Sequence, residues 1–336
     1  MNRPQVATSV FPGGPPRMEY RRLGADETLP PTTLCAISFG SQRPALCAEP
    51  APHGLCVHVN LPALVGTGMT ELWHTDARVE SGREGVVHFA CGGAYLAGMV
   101  EIDERDGGGL EAAARQAYEA ISGFTARSSH RHLLRMYNYF SDINGGNGDA
   151  ERYKLFCSGR AAGFQGLSGP SWPASTAIGR QERSSVLQVY WLAASEPGQA
   201  IENPRQISAF RYPRQYGPAP PNFSRAMRVD GGLLVSGTAS IVGHASQHPG
   251  DLSAQLDEIL RNLASLRQAS GGPALMQSGR GALLKIYLRN AAAAGVATQH
   301  LRAHLPAHIQ FLMLGADVCR RELLVEVDAA LIGYEV

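Results

Sequence analysis

Leu133–Phe140 reads LLRMYNYF, and Leu283–Asn290 reads LLKIYLRN. Both are short runs of bulky apolar residues, the composition of a half-buried strand. Each sits at the same place in a longer series. Upstream, HFACGGAYLAG (His88–Gly98) matches LLVSGTASIVGH (Leu233–His244): an apolar strand entering a small-residue turn, at Gly92 and at Gly237. A helix follows each, LEAAARQAYEAISGF from Leu110 and LSAQLDEILRNLASL from Leu252, with apolar residues at three- and four-residue spacing. Asp251 is placed to cap the second. Downstream come ERYKLFCSGRAAGF from Glu151 and TQHLRAHLPAHI from Thr298, both read as helical. Apolar strands close each series: SSVLQVYWLAA from Ser184 in the first, IQFLMLGADV from Ile309 and RELLVEVDAAL from Arg321 in the second. Elements that match in order at a spacing of about 145 residues indicate a diverged internal duplication.

The fold class is therefore α/β (α+β), with two diverged modules, each a mixed β-sheet backed by helices. The first covers residues 85–195 and the second 229–336. Residues 196–228 form an Arg/Tyr/Pro-rich connection, too long and aperiodic for an ordinary loop. Residues 1–84 are Pro/Gly-rich and read as an irregular extension packed on the first module, with strand-like pieces LCAISFG from Leu34 and GLCVHVNLPAL from Gly54 that extend or cover its sheet.

With 336 residues, 44% hydrophobic and a net charge of +1, the chain has ample core and no disorder signature. Lys+Arg 30 against Asp+Glu 29 leaves no footprint for nucleic acid or an anionic membrane. No apolar run is long enough to span a bilayer, and the start lacks a signal-peptide pattern. Cys35, Cys47, Cys56, Cys91, Cys157 and Cys319 show no C-x-x-C or zinc spacing and read as reduced thiols of a cytoplasmic protein. Phosphate-loop, dinucleotide, serine-hydrolase and zinc-protease motifs are absent, and no cofactor or metal is expected.

Three features carry chemistry. Arginines and tyrosines concentrate at Tyr153 and Arg160, and again at Arg211, Tyr212, Arg214, Tyr216 and Arg225. Guanidinium forks bind carboxylates, and a phenol adds one directed hydrogen bond. Glu326 lies in the apolar strand LLVEVDAAL and shares a face with Asp328. Alignment by apolar pattern sets Val189 opposite it in the first copy, so the fold does not demand a carboxylate there. A desolvated carboxyl can act as a general acid. Cys319, seven residues before Glu326, reads as a small buried residue or the wall of a pocket.

The blocks RYKLFCSGRAAGF, PASTAIGR, VLQVYWLAA, IENPRQISAFRYPRQYGPAPPNFSRAM, LLVSGTASIVGHASQHPGDL and LLVEVD resemble the chorismatase family, which removes pyruvate from chorismate. Within it the sequence looks most like the bifunctional xanthomonad type, which forms 3- and 4-hydroxybenzoate. The resemblance implies two RidA/YjgF-like modules, chorismate as the small-molecule partner, and a monomer or a homotrimer. It implies a proton-donating role for Glu326, substrate contacts from Tyr153, Arg160, Tyr212 and Arg225, and a product-directing role for Cys319. It also links a small residue in SGTAS to product choice, at Ala239 or Ser240. An imine deaminase, and a non-catalytic binder of small ligands, are alternative readings of the same scaffold.

Overall fold

A computed structural model describes residues 16–24, 27–44, 54–164, 171–271 and 282–332. The chain enters through β1 (Arg17–Arg22), β2 (Thr33–Phe39), β3 (Leu55–Val59), β4 (Ala63–Val65) and β5 (Met69–His74). The strand-like pieces expected from Leu34 and Gly54 are β2 and β3, but the segment is more regular than the expected extension. Four of these strands make a sheet in the order β1-β5-β2-β3. Its prolines and glycines fall between strands, at Pro30, Pro31 and Gly54, where they set turns without interrupting pairing.

The first module follows with β6 (Glu80–Glu84), β7 (Val87–Gly92), β8 (Tyr95–Asp103), α1 (Gly109–Arg127), β9 (His132–Ser141), α2 (Arg152–Gly163), β10 (Ala174–Arg180) and β11 (Val186–Ala194). Its sheet runs β10-β9-β11-β8-β7-β6, with β9 and β10 parallel and the other pairs antiparallel. The helix α1 buries Leu110, Ala114, Ala117, Ile121 and Phe124, the stripe that its periodicity indicated. It carries α2 at close range, because side chains at Gly159 and Gly163 would collide with the α1 backbone.

The second module's sheet starts before the expected residue 229, with two strands inside the expected connection: it contains β12 (Gln199–Ile201), β13 (Ala226–Val229), β14 (Gly232–Ala239), a hairpin of β15 (Ile241–Val242) and β16 (Ala245–Ser246), α3 (Leu252–Ala269), β17 (Ala282–Leu288), α4 (Ala294–His304), β18 (Gln310–Gly315) and β19 (Val325–Ile332). Its order, β12-β13-β14-β19-β17-β18-β4, is the order of the first sheet with β4 added at one edge. The Asp251 carboxylate accepts from Ala254 N and caps α3, as expected. The helix expected from Thr298 starts four residues earlier and stops at His304, before Pro306. The strand β10, the counterpart of β18, completes the repeat.

Pairing register corrects one alignment. Glu326 pairs with Tyr287, and Tyr287 corresponds to Tyr137, which pairs with Tyr190. The counterpart of Glu326 is therefore Tyr190, and that of Asp328 is Leu192. Val189 faces the helices instead.

The N-terminal sheet repeats the same inner pattern without helices: β2 is parallel to β3 and antiparallel to β5, and β5 is antiparallel to β1. The helix-free faces of all three sheets share one core, including Trp73, Tyr139, Tyr190, Leu234, Tyr287 and Leu312. Two ion pairs are buried in it. Lys285 Nζ on β17 lies 2.6 Å from Glu71 on β5, and Arg135 Nη2 on β9 lies 3.3 Å from Asp328 Oδ2 on β19. Cys35, Cys91, Cys157 and Cys319 are free, but Cys56 is disulfide-bonded, which corrects the expectation of six thiols; Cys47 lies outside the described residues. No helix among the described residues is long and apolar enough to cross a membrane.

Candidate active site

The two modules meet where β10 runs against β14. Ser175 N donates to Ser236 Oγ at 2.8 Å, and Gly179 exchanges two backbone hydrogen bonds with Asp317. Along β14 the register with β19 slips between Val235 and Thr238. Gly237 sits in this irregularity, and a Cβ there would collide with the Glu326 carboxylate. The bulge and the glycine together open room beside that carboxyl group.

A cavity of about 250 Å³ occupies the seam. All six expected site residues line it: Glu326, Cys319, Tyr153, Arg160, Tyr212 and Arg225. They come from β19, the turn before it, α2 and the connection, so both modules and their link build one site. Arg211 and Arg214, from the same sequence cluster, do not line it; Arg214 pairs at the surface with Asp149.

Glu326 is 4% exposed. Burial, followed by the negative charge of Asp328, pushes its carboxyl up to about 8, against the opposing pull of Arg135, Arg225 and Arg320. The group therefore holds its proton through neutral pH. Cys319 Sγ lies 4.0 Å from Glu326 Oε2 as a weak donor. Burial and the neighbouring Glu326 push this thiol up, so it is neutral and no nucleophile. The turn that carries it is pinned by Arg289, which donates to the carbonyls of Val318, Arg320 and Leu323 and pairs with Asp317.

Two of the cations on the cavity wall, Arg160 and Arg225, are buried. Arg160 lies two turns along α2 from Tyr153, on the same side, and is 3% exposed. It donates from Nη1 to Ser175 Oγ at 3.3 Å and rests on the Tyr118 and Phe164 rings. Among the described residues its Nε and Nη2 have no hydrogen-bond partner. Arg225 is 5% exposed, donates from Nη2 to Ile207 O and to Tyr212 Oη at 2.7 Å, and leaves Nε unpartnered. A buried cation with unpartnered N–H groups, as at Arg160, is costly and marks the place of an anion. Tyr153 is half-buried; burial raises its phenol, which is a neutral hydrogen-bond group.

Sequence reasoning missed Arg320, which lines the cavity, rests 4.1 Å over the Tyr216 ring and donates to His244 O. Its position directly after Cys319 was the available signal. Of the two small residues in SGTAS, Ala239 lines the cavity and pairs with Glu326, whereas Ser240 turns its hydroxyl to Gln247 O.

A family profile described as chorismatase FkbO/Hyg5-like, N-terminal, matches residues 71–193. A 3-hydroxybenzoate synthase of Streptomyces hygroscopicus is 33% identical over 335 residues, 92% of this chain and 95% of the relative. The chain belongs to the chorismatase family. A second family member, a chorismatase of Streptomyces rapamycinicus, is 34% identical over 77% of this chain and 80% of its own length. A chorismatase crystal structure superposes with a TM-score of 0.83 at 30% identity, covering 95% of this chain and 98% of the other. The two diverged α/β modules described above are thus a chorismatase fold, and the protein is an enzyme.

Proposed function

We propose that this chorismatase converts chorismate to hydroxybenzoate and pyruvate in the seam cavity. One observation carries the reading: a carboxyl group that keeps its proton at neutral pH shares a small cavity with two buried guanidiniums that leave Nε and Nη2 of Arg160 and Nε of Arg225 without a hydrogen-bond partner among the described residues. Chorismate has two carboxylates, a charge that suits Arg160 and Arg225, with Tyr153 and Tyr212 adding directed hydrogen bonds. Its enolpyruvyl ether needs a proton on the methylene carbon before the ether bond to the ring can break. Glu326 supplies that proton, and the carboxylate left behind stabilises the cationic carbon. The ring then loses a proton and aromatises. Purified protein incubated with chorismate should release pyruvate and hydroxybenzoate in equal amounts. Absence of both products would overturn the reading, and the same assay gives the share of the 3- and 4-isomers.

Product choice is assigned to Cys319, with Ala239, because both line the cavity beside Glu326, Cys319 at 4.0 Å from its Oε2 and Ala239 as its strand neighbour. Cys319→Ala should keep pyruvate release within several-fold of the parent while changing the ratio of aromatic products. Chromatography of the product mixture checks this. A folded Cys319→Ala protein without pyruvate release would make the thiol essential and refute the assignment.

A further inference from the structure

Asp328 does not line the cavity, and it is 2% exposed. It lies two residues beyond Glu326 on the same face of β19, about 7 Å away at the usual strand rise. Its Oδ2 accepts from Tyr287 Oη at 2.9 Å and Thr176 Oγ1 at 3.3 Å, and pairs with Arg135, which also donates to Thr176. Burying such a pair is expensive, and two apolar residues would fill the same space at lower cost. Leu192, the counterpart of Asp328 in the first module, is such a residue. The pair spans the two modules and ends beside the catalytic carboxyl, so its placement points to function.

Other groups surround Glu326. Tyr287 pairs with it from β17, Tyr153 approaches from α2, and Cys319 and Arg320 come from the preceding turn. Arg225 and Arg160 face the cavity from the connection and α2, with Glu151 and Glu322 also on its wall. The tyrosines and the thiol are neutral. The arginines all favour loss of the Glu326 proton. Among these groups, Asp328 is the buried anion fixed closest along the strand.

We propose that Asp328 is a positioning residue: anchored by Arg135, Tyr287 and Thr176, it holds the Glu326 carboxyl in its acid form against the arginines of the site. This rests on the reading of Glu326 as the proton donor. It is tested without substrate, by following the Glu326 carboxyl in glutamate-¹³C-labelled protein by NMR as pH is raised, with Glu326→Gln to assign the signal. The parent should titrate near 8. Asp328→Asn leaves the arginines unopposed and should titrate about one pH unit lower or more, the scale of a nearby charge. Arg135→Gln should move the titration upward, and the double variant should return it towards the parent. Unchanged titration in Asp328→Asn would overturn the proposal; if that variant does not fold, unchanged titration in Arg135→Gln would do so. The pH–rate profile separates the two readings. Carboxyl titrations that move as stated while the rate ignores them would remove Glu326 as the acid and leave Asp328 in its role.

Discussion

Glu326→Gln should bind chorismate about as well as the parent protein and lose at least about 100-fold in kcat, the lower range for a positioned general acid. Glutamine keeps the shape and the hydrogen bonds but has no proton of comparable acidity to give. In the parent, the active form is the protonated one, so activity should be level below about pH 8 and fall as pH rises through that value. A stability signature accompanies this. The folded carboxyl is raised above its unfolded value, so the folded state binds the extra proton and stability declines between about 4.5 and 8 as pH increases. Glu326→Gln has no such decline, and its melting temperature should exceed the parent's by a margin that grows from pH 5 to pH 8. Glu326→Asp, one methylene shorter, should be intermediate in rate. Turnover by the Gln variant within a few-fold of the parent would make Glu326 structural.

Arg160→Met should raise the chorismate KM roughly 10- to 150-fold, which corresponds to the 1.5–3 kcal/mol typical of a charge-assisted hydrogen bond. The same substitution should leave thermal stability unchanged or higher without substrate. Arg160 is buried with Nε and Nη2 unpartnered among the described residues, so its burial is a net cost to the free protein. Methionine fills the space against Tyr118 and Phe164 without that cost. The comparison of KM with melting temperature is decisive. Lower stability with unchanged KM would place Arg160 in the scaffold rather than the site.

The duplication was legible because helix periodicity and the Leu133 and Leu283 strands survive divergence on the helix-facing side, where packing allows few residue types. The N-terminal sheet was legible only in part: two of its strands could be read, but not that they belong to a sheet of their own. Its strands are short, and no helical pattern separates them to mark a repeat. Glu326 and Cys319 stood out as unusual residues in apolar surroundings. Arg135 and Asp328 did not, because each looks like one charge on an alternating strand until three sheets close over it. The offset of one residue that set Val189 opposite Glu326 has a similar origin: apolar runs align by composition, but faces are set by pairing, which slips between Leu192 and Ala193 on β11.

The shared core also governs the order in which the chain can fold. Tyr20 donates to Leu284 O, a contact spanning 264 residues, and Glu71 waits on Lys285. During synthesis the first sheet therefore emerges long before its partners exist. The helix-side core of the first module uses only residues from Val87 to Ala193, apart from the adjoining Phe210 and Cys319, and can assemble on the ribosome. The central core must wait for β17 and β19, so its closure follows that of the first module and is slow in the manner of distant strand pairings. Until then the apolar face of β2 and β5 is exposed, which makes the newborn amino-terminal segment the part of this enzyme most in need of a chaperone.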